Sequence, residues 1–295
     1  MRVLVLGASG MLGHAMLHIL DEPGQLDVYG TLRSTAAKRF FPPELGGRLL
    51  SGIEAENQDV LTRLFRALRP DVLINCVGLV KQLEDANDPL RALPVNAMLP
   101  HRLAGLCELA GARLVHVSTD CVFSGEKGDY REEDRPDATD LYGLSKYLGE
   151  VDYPHAVTLR TSIIGPELTG ARGLIGWFLA QRESCPGFTR AVFSGLPTVV
   201  LAQIVRDVII PRSELHGLYH VAARPIAKFD LLRLVADVYG KSIEIVPVDS
   251  PVIDRSLNAE RFRGATGYVV PQWPELIATM HSYSQKMAKQ DHVQG

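Results

Sequence analysis

Cysteine is scarce in this sequence and charge of either sign is not concentrated. Cys76, Cys107, Cys121 and Cys185 are its only cysteines in 295 residues, and no two form a C-x-x-C pair. Neither a disulfide framework nor a zinc site is therefore suggested, and reduced thiols of a cytosolic protein are expected. Lys and Arg number 31 against 34 Asp and Glu, a net charge of -3, which gives no broad basic surface for nucleic acid. Nowhere does the chain hold the roughly 18 uninterrupted apolar residues of a membrane span. The apolar run near Met1 is too short for a signal-peptide core, and no small-residue cleavage site follows it. A cytoplasmic location, with no membrane partner, is expected. Repeats and low-complexity tracts are also missing. With 46% hydrophobic and 22% charged residues, the composition is that of a globular protein, long enough for one large domain or two unequal lobes.

Short apolar runs alternate with segments of helical periodicity in the first half, the pattern of a parallel sheet built from βαβ units. Strands are expected at Arg2 to Leu6, Leu26 to Thr31, Val72 to Asn75, Arg113 to Ser118 and Ala156 to Arg160. Helices are expected at Met11 to Leu20 and around Val60 to Leu68, Leu93 to Ala110 and Leu141 to Val151. After Arg160, Gly and Pro punctuate shorter elements. Ala202 to Ile209 and Phe229 to Tyr239 read as helices, and Leu218 to Val221 and Ile243 to Val248 as strands. The expected fold is α/β, a doubly wound, Rossmann-like parallel sheet with a smaller mixed lobe. Residues 1–160 form the dinucleotide-binding part, to which 202–240 return; 161–201 and 241–285 form a substrate lobe, and 286–295 a frayed polar tail.

The first turn reads Gly7-Ala8-Ser9-Gly10-Met11-Leu12-Gly13, a G-x-x-G-x-x-G between a predicted strand and a predicted helix. Glycine permits the tight turn and lets backbone amides reach a pyrophosphate, to which the helix N-terminus adds partial positive charge. The last glycine allows close helix–strand packing. At the end of the second strand stand Arg33 and Ser34, where an NAD site would place a carboxylate. An arginine there pairs with a 2′-phosphate, favouring NADP(H) while leaving NAD(H) open. Asp59 and Val60 either bracket the adenine or open a capped helix. Asn75-Cys76-Val77-Gly78 would pass beside the cofactor ribose, with Cys76 and Val77 in contact and Gly78 keeping a side chain out of the way.

Tyr142 and Lys146 stand at i and i+4 of a predicted helix, one turn apart on one face. A phenol with a pKa of about 10 exchanges protons poorly near neutrality, and a neighbouring lysine cation favours the phenolate. Ser118 and Thr119 follow a strand whose end faces the same cleft, so that Thr119 can hydrogen-bond the carbonyl oxygen that Tyr142 protonates.

The combination resembles the extended short-chain dehydrogenase/reductases. More narrowly, Ser118-Thr119-Asp120-Cys121-Val122-Phe123-Ser124-Gly125 and Tyr142-Gly143-Leu144-Ser145-Lys146-Tyr147-Leu148-Gly149-Glu150 resemble the dTDP-4-dehydrorhamnose reductases. The likeness continues through Leu159-Arg160-Thr161-Ser162 and Arg255-Ser256-Leu257. It implies a catalytic Thr119, Tyr142 and Lys146, with Lys146 also on the nicotinamide ribose and Asn96, Ser118 and Thr161 near the cofactor. It further implies a hydride delivered to C4 of a nucleotide-linked 4-keto-6-deoxy sugar, held near Thr119, Asp120, Cys121, Ser162 and Ile163, and is compatible with a homodimer. Lys81, just after the N-x-x-G, either reaches the phosphates or sugar of the substrate or is a solvated loop lysine. Two positions depart from the pattern. Those reductases commonly carry tyrosine where this chain has Cys121, and tryptophan where it has Ile163. Both fall where the sugar would lie, so a UDP-linked 2-acetamido-2,6-dideoxy-4-hexulose competes as substrate. An epimerase and a non-catalytic NADP-binding regulatory subunit are the other readings of the scaffold.

Several features carry no chemistry on this reading. His14, His18, His101, His116 and His220 share no metal-ligand spacing and are assigned to packing or surface. Trp177 and Phe178 are read as core, and Glu132-Glu133-Asp134 as a solvated loop.

Overall fold

The computed structural model describes residues 1–22, 24, 26–80 and 87–293. Seven parallel strands make the main sheet: β1 (Arg2–Leu6), β2 (Asp27–Leu32), β3 (Leu49–Ser51), β4 (Val72–Asn75), β5 (Arg113–Thr119), β6 (Ala156–Thr161) and β11 (Gly217–His220), in the spatial order β11-β6-β5-β4-β1-β2-β3. The order reverses between β1 and β4, where connections leave to opposite sides and a crevice opens beyond the carboxyl ends of the strands.

Strand registers explain why the apolar runs are continuous. In β1, Val3 and Val5 join one buried cluster while Leu4 and Leu6 join the other, because successive side chains of a strand face opposite sides. A parallel sheet covered on both faces needs apolar residues at every position. On one face lie α1 (Met11–Leu20) and α7 (Thr198–Ile204), with α10 (Trp273–Val293) packed on α7; on the other lie α2 (Gln58–Leu68) and α4 (Leu99–Ala110). Gly30 of β2 lets α1 come close: a Cβ there would lie 2.9 Å from that of Ala8 and 3.1 Å from Leu17 Cδ1.

The helix before α4 is irregular for a stated reason. After α3 (Pro89–Ala92) the chain makes a π-helical stretch over Leu93–Met98. Pro100 has no N–H for the carbonyl four residues back, which is that of Asn96. Gly149 packs against this carbonyl instead; a Cβ on Gly149 would be 1.9 Å from it. The end of α5 (Leu141–Leu148) is thereby seated on the segment that carries Asn96.

The smaller elements follow β6. They are β7 (Ile163–Ile164), α6 (Leu174–Ala180), β8 (Ser184–Phe188), β9 (Ala191–Phe193), β10 (Leu196–Pro197), β12 (Ile226–Ala227), α8 (Lys228–Tyr239), β13 (Glu244–Val248), β14 (Ile253–Asp254) and α9 (Glu260–Thr266). β8 pairs with β13, β9 with β12 and β14, and β7 with β10. Phe178 is fully buried and Trp177 half-buried against the core, as expected. Beyond Lys286, α10 continues to Val293. No helix among the described residues is long and apolar enough to cross a membrane.

Candidate active site

The glycine turn leaves β1 at the crevice. Gly7 has φ +84°, in the left-handed region, and a Cβ on it would lie 2.8 Å from Val77 Cγ2. A Cβ on Gly13 would lie 2.1 Å from the Gly7 carbonyl oxygen, so α1 can start against β1 only without that side chain. Gly10 caps α1 with extended backbone and no side-chain bond, which leaves the amides of Met11 and Leu12 uncovered. Ser9 is half-buried beside them. The turn is tied to β2: Gly7 N donates to Thr31 Oγ1 at 3.0 Å, and Ala8 N to Thr31 O at 2.9 Å.

Two residues beyond Thr31, Arg33 is exposed and makes no ion pair among the described residues. Ser34, also exposed, accepts from Ala36 N at 3.2 Å. Asp27 sits at the amino end of β2, bound to Arg2 at 3.0 Å, so it cannot serve the carboxyl end. Asp59 and Val60 fall in the first turn of α2, where both amides donate to Asn57 Oδ1 at 3.1 Å. The backbone that follows β3 at the sheet edge is Gly52–Ile53, with Ile53 N donating to Leu32 O at 3.1 Å. Asp59 and Val60 thus stand in the capped first turn of a helix that follows this edge.

The other wall follows β4. Asn75 Oδ1 accepts from Val77 N at 3.1 Å and its Nδ2 lies 3.1 Å from His116 Nδ1, so the chain turns into Cys76, Val77 and Gly78 with a fixed geometry. Asn96 is 1% exposed; its Oδ1 accepts from Leu79 N at 2.9 Å, and its Nδ2 donates to Leu79 O and Ser145 Oγ, both at 3.2 Å. A Cβ on Gly78 would lie 3.4 Å from Asn96 Oδ1 and 4.0 Å from Lys146 Nζ. A side chain on Gly7 would meet Val77 and one on Gly78 would approach Lys146, so one short segment runs between the two halves of the site. Lys81 lies outside the described residues.

Tyr142 and Lys146 project from α5, whose N-terminus is capped by Asp140 accepting from Gly143 N at 2.8 Å. Gly143 packs on Cys121; a Cβ there would be 2.3 Å from the Cys121 carbonyl oxygen. Lys146 is 6% exposed and donates to Val117 O at 2.9 Å. Burial lowers its ammonium to about 8, against the pull of Glu150. Tyr142 behaves opposite to expectation. Burial, chiefly, and then Cys121 push its phenol above the ordinary value, and a hydrogen bond with Thr119 offsets this only in part. The lysine cation is turned to a main-chain carbonyl, so burial of the phenol decides the direction.

Thr119 ends β5 and its Oγ1 accepts from Cys121 N at 3.1 Å and donates to Asp120 Oδ1 at 3.2 Å. Burial raises the Asp120 carboxyl, while Arg255 and Lys228 work the other way. Ser118 Oγ donates to Glu150 Oε1 at 2.7 Å, which turns that hydroxyl toward a buried network. Glu150 holds Arg160 at 2.6 Å, and Arg160 Nη1 lies 3.2 Å from His220 Nε2. Glu132 accepts from His220 N at 2.8 Å and is half-buried, so it is not part of a solvated loop. Thr161 Oγ1 donates to Ser162 O at 3.1 Å, and Ile163 pairs with Leu196.

The sheet thus brings Gly78, Asn96, Thr119, Asp120, Cys121, Tyr142 and Lys146 together beside the glycine turn. Glu150, Arg160 and Arg255 are the additions that spacing did not signal. A separate cavity of about 680 Å³, between α1, α7 and α10, is lined by His18, Gln203, Glu275 and Tyr283 and by none of these residues. Among the described residues no group of three or more His, Cys, Asp or Glu is placed to hold a metal.

The model of the RmlD substrate binding domain matches residues 1–280. The chain belongs to the RmlD substrate-binding-domain family. It is 25% identical to dTDP-4-dehydrorhamnose reductase of Aggregatibacter actinomycetemcomitans, over 96% of this chain and 99% of that protein. It is also 27% identical to methionine adenosyltransferase 2 subunit beta of Danio rerio, over 84% of this chain and 77% of that one. Among solved structures, dTDP-4-dehydrorhamnose reductase from Bacillus anthracis in complex with NADP superposes with a TM-score of 0.79, at 22% identity, over 96% of this chain and 99% of its own. These superpositions bear out the expected Rossmann-like sheet with its smaller mixed lobe.

Proposed function

We propose that this member of the RmlD family is a cytoplasmic NADPH-dependent reductase of a nucleotide-linked 4-keto-6-deoxy sugar, converting dTDP-4-dehydro-L-rhamnose to dTDP-L-rhamnose. The observation that carries the reading is the hydrogen bond between Thr119 and Tyr142, one helical turn from a Lys146 whose Nζ would lie 4.0 Å from a Cβ on Gly78.

The residues fit the dinucleotide. Glycine at 7 and 13 leaves the cradle that a Cβ would fill, the first-turn amides of α1 receive the diphosphate, and Arg33 is free to meet a 2′-phosphate. NADH would use the same turn without the Arg33 contact. Bound NADPH supplies the hydride to the carbonyl carbon. Tyr142 gives its proton to the carbonyl oxygen, and its raised pKa suits that direction, because the phenol stays protonated at neutral pH while the oxygen, taking the C=O π pair as a hydride bonds to carbon, is far more basic. Thr119 donates to the same oxygen, and the Lys146 ammonium stabilises the phenolate left behind.

Protein, NADPH and enzymatically made dTDP-4-keto-6-deoxy-L-mannose should consume NADPH, followed by its absorbance. Tyr142→Phe should bind NADPH and lose at least about 100-fold in kcat. No turnover with that sugar or its UDP-linked amino analogue would remove the substrate assignment, and would leave the regulatory role suggested by the methionine adenosyltransferase relative. The intact Tyr142 and Lys146 speak for catalysis.

A further inference from the structure

The space beside Cys121, which follows Thr119 and Asp120 at the end of β5, is taken by a residue from far along the chain. Arg255 reaches over from the segment after β14, with Nη1 4.0 Å from Cys121 Sγ. Its Nε donates to Phe123 O at 2.7 Å, and Gly125 makes room for its stem, since a Cβ there would be 3.0 Å from Arg255 Cγ. The residues on either side are locked to the same strap. Asp254 N donates to Gly125 O at 2.7 Å, and Tyr130 N to Ser256 O at 2.8 Å. The guanidinium is thus held by one edge, and its Nη2 has no partner among the described residues. It faces Asp120 and Cys121, both of which act electrostatically on Tyr142.

We infer that Arg255 is a specificity-determining residue which, with Asp120, grips hydroxyls of the substrate's sugar ring. The inference rests on the reductase reading above. Two arguments favour the sugar over the diphosphate. The phenol marks the carbon being reduced, which belongs to the sugar, and Arg255 is grouped with the residues around that phenol. A carboxylate next to the guanidinium also makes the pair suited to neutral hydroxyls, with Asp120 accepting and Arg255 donating, and poorly suited to a diphosphate anion. A planar fork fixed at one edge loses little freedom when its remaining donors are used.

The test is calorimetric titration of the full chain with dTDP-L-rhamnose and with dTDP alone. Arg255→Lys keeps the charge and loses the fork. It should weaken dTDP-L-rhamnose about tenfold, the loss of one charge-assisted hydrogen bond, while dTDP changes less than about twofold and NADPH binding is unaltered. Equal weakening of both ligands would put the guanidinium on the diphosphate, and no weakening of either would give it a purely structural role; each overturns the inference. Wild-type protein that distinguishes no sugar nucleotide from its nucleoside diphosphate, in the dTDP or UDP series, overturns the reductase reading first and this inference with it.

Discussion

Glu150 and Arg160 form a two-point ion pair beneath the catalytic crevice, with Oε1 2.7 Å from Nε and Oε2 2.6 Å from Nη2, and side chains 9% and 2% exposed. The pair closes a network that holds both ends of the site, since Glu150 also takes the Ser118 hydroxyl next to Thr119 and Arg160 lies against His220. Removing one partner strands the other charge in the interior. Arg160→Met should therefore lower unfolding stability by about 3–5 kcal/mol, whereas Arg160→Met with Glu150→Leu should recover most of the loss. Urea unfolding of the three proteins measures this, and a double variant no more stable than the single would refute it.

The same network shows where sequence reading stops. β1, α1 and β4 have the expected boundaries because uninterrupted apolar runs stand next to glycine or asparagine turns. Tyr142 and Lys146 were legible because both lie on one helix, where spacing alone fixes the shared face. Arg255 meets Cys121 across 134 positions, a relationship no local pattern carries. The direction of the Tyr142 shift was missed for a related reason, as it depends on burial by elements remote in sequence. The start of α10 is docked, with Leu276, Ile277, Met280 and Tyr283 buried, and extending a helix from a packed nucleus costs little.

Lys146 gives a pH signature. Its ammonium is held at about 8, below an ordinary 10.5, so between these values the unfolded chain keeps a proton that the folded chain has released. Stability contributed by this residue therefore rises as pH goes from 8 to 10.5, by about 3 kcal/mol at most. Wild type should gain on Lys146→Met over that window in chemical unfolding. Activity should move the other way. The value of kcat/KM for NADPH reports groups of the free enzyme and should fall above about pH 8 as the ammonium is lost, with no tyrosine titration between pH 6 and 9. A profile that rises through pH 8 would contradict the assignment.

Gly78 is the hinge between the dinucleotide turn and the lysine, and Gly78→Ala separates fit from function. Its Cβ would lie 3.4 Å from Asn96 Oδ1 and 4.0 Å from Lys146 Nζ, close enough to intrude on the crevice yet far enough for the chain to fold. The Tm should change little, by less than about 1 kcal/mol in stability, while NADPH binding weakens severalfold. Gly13→Ala is the contrasting control. Its Cβ would sit 2.1 Å from the Gly7 carbonyl oxygen, so backbone must move and both folding and binding should suffer. Unchanged NADPH affinity in Gly78→Ala would separate this residue from the cofactor site.

On the proposed function, Arg33 would decide between the two nicotinamide cofactors. It stands exposed just past the end of β2 and pairs with no carboxylate among the described residues, while the acid of that strand, Asp27, is occupied by Arg2 at the opposite end. A 2′-phosphate placed there would find a charged fork and no competing anion, whereas the ribose hydroxyls of NADH would find no acceptor. One exposed charge-assisted contact amounts to about 1–2 kcal/mol, so Arg33→Ala should raise the Kd for NADPH about tenfold and leave that for NADH within about twofold. Arg33→Asp should go further and invert the preference, because the carboxylate repels the phosphate and accepts from the ribose. Fluorescence titration with both reduced cofactors reads the two constants directly. Equal losses for NADPH and NADH in Arg33→Ala would mean that the guanidinium serves the turn and not the phosphate.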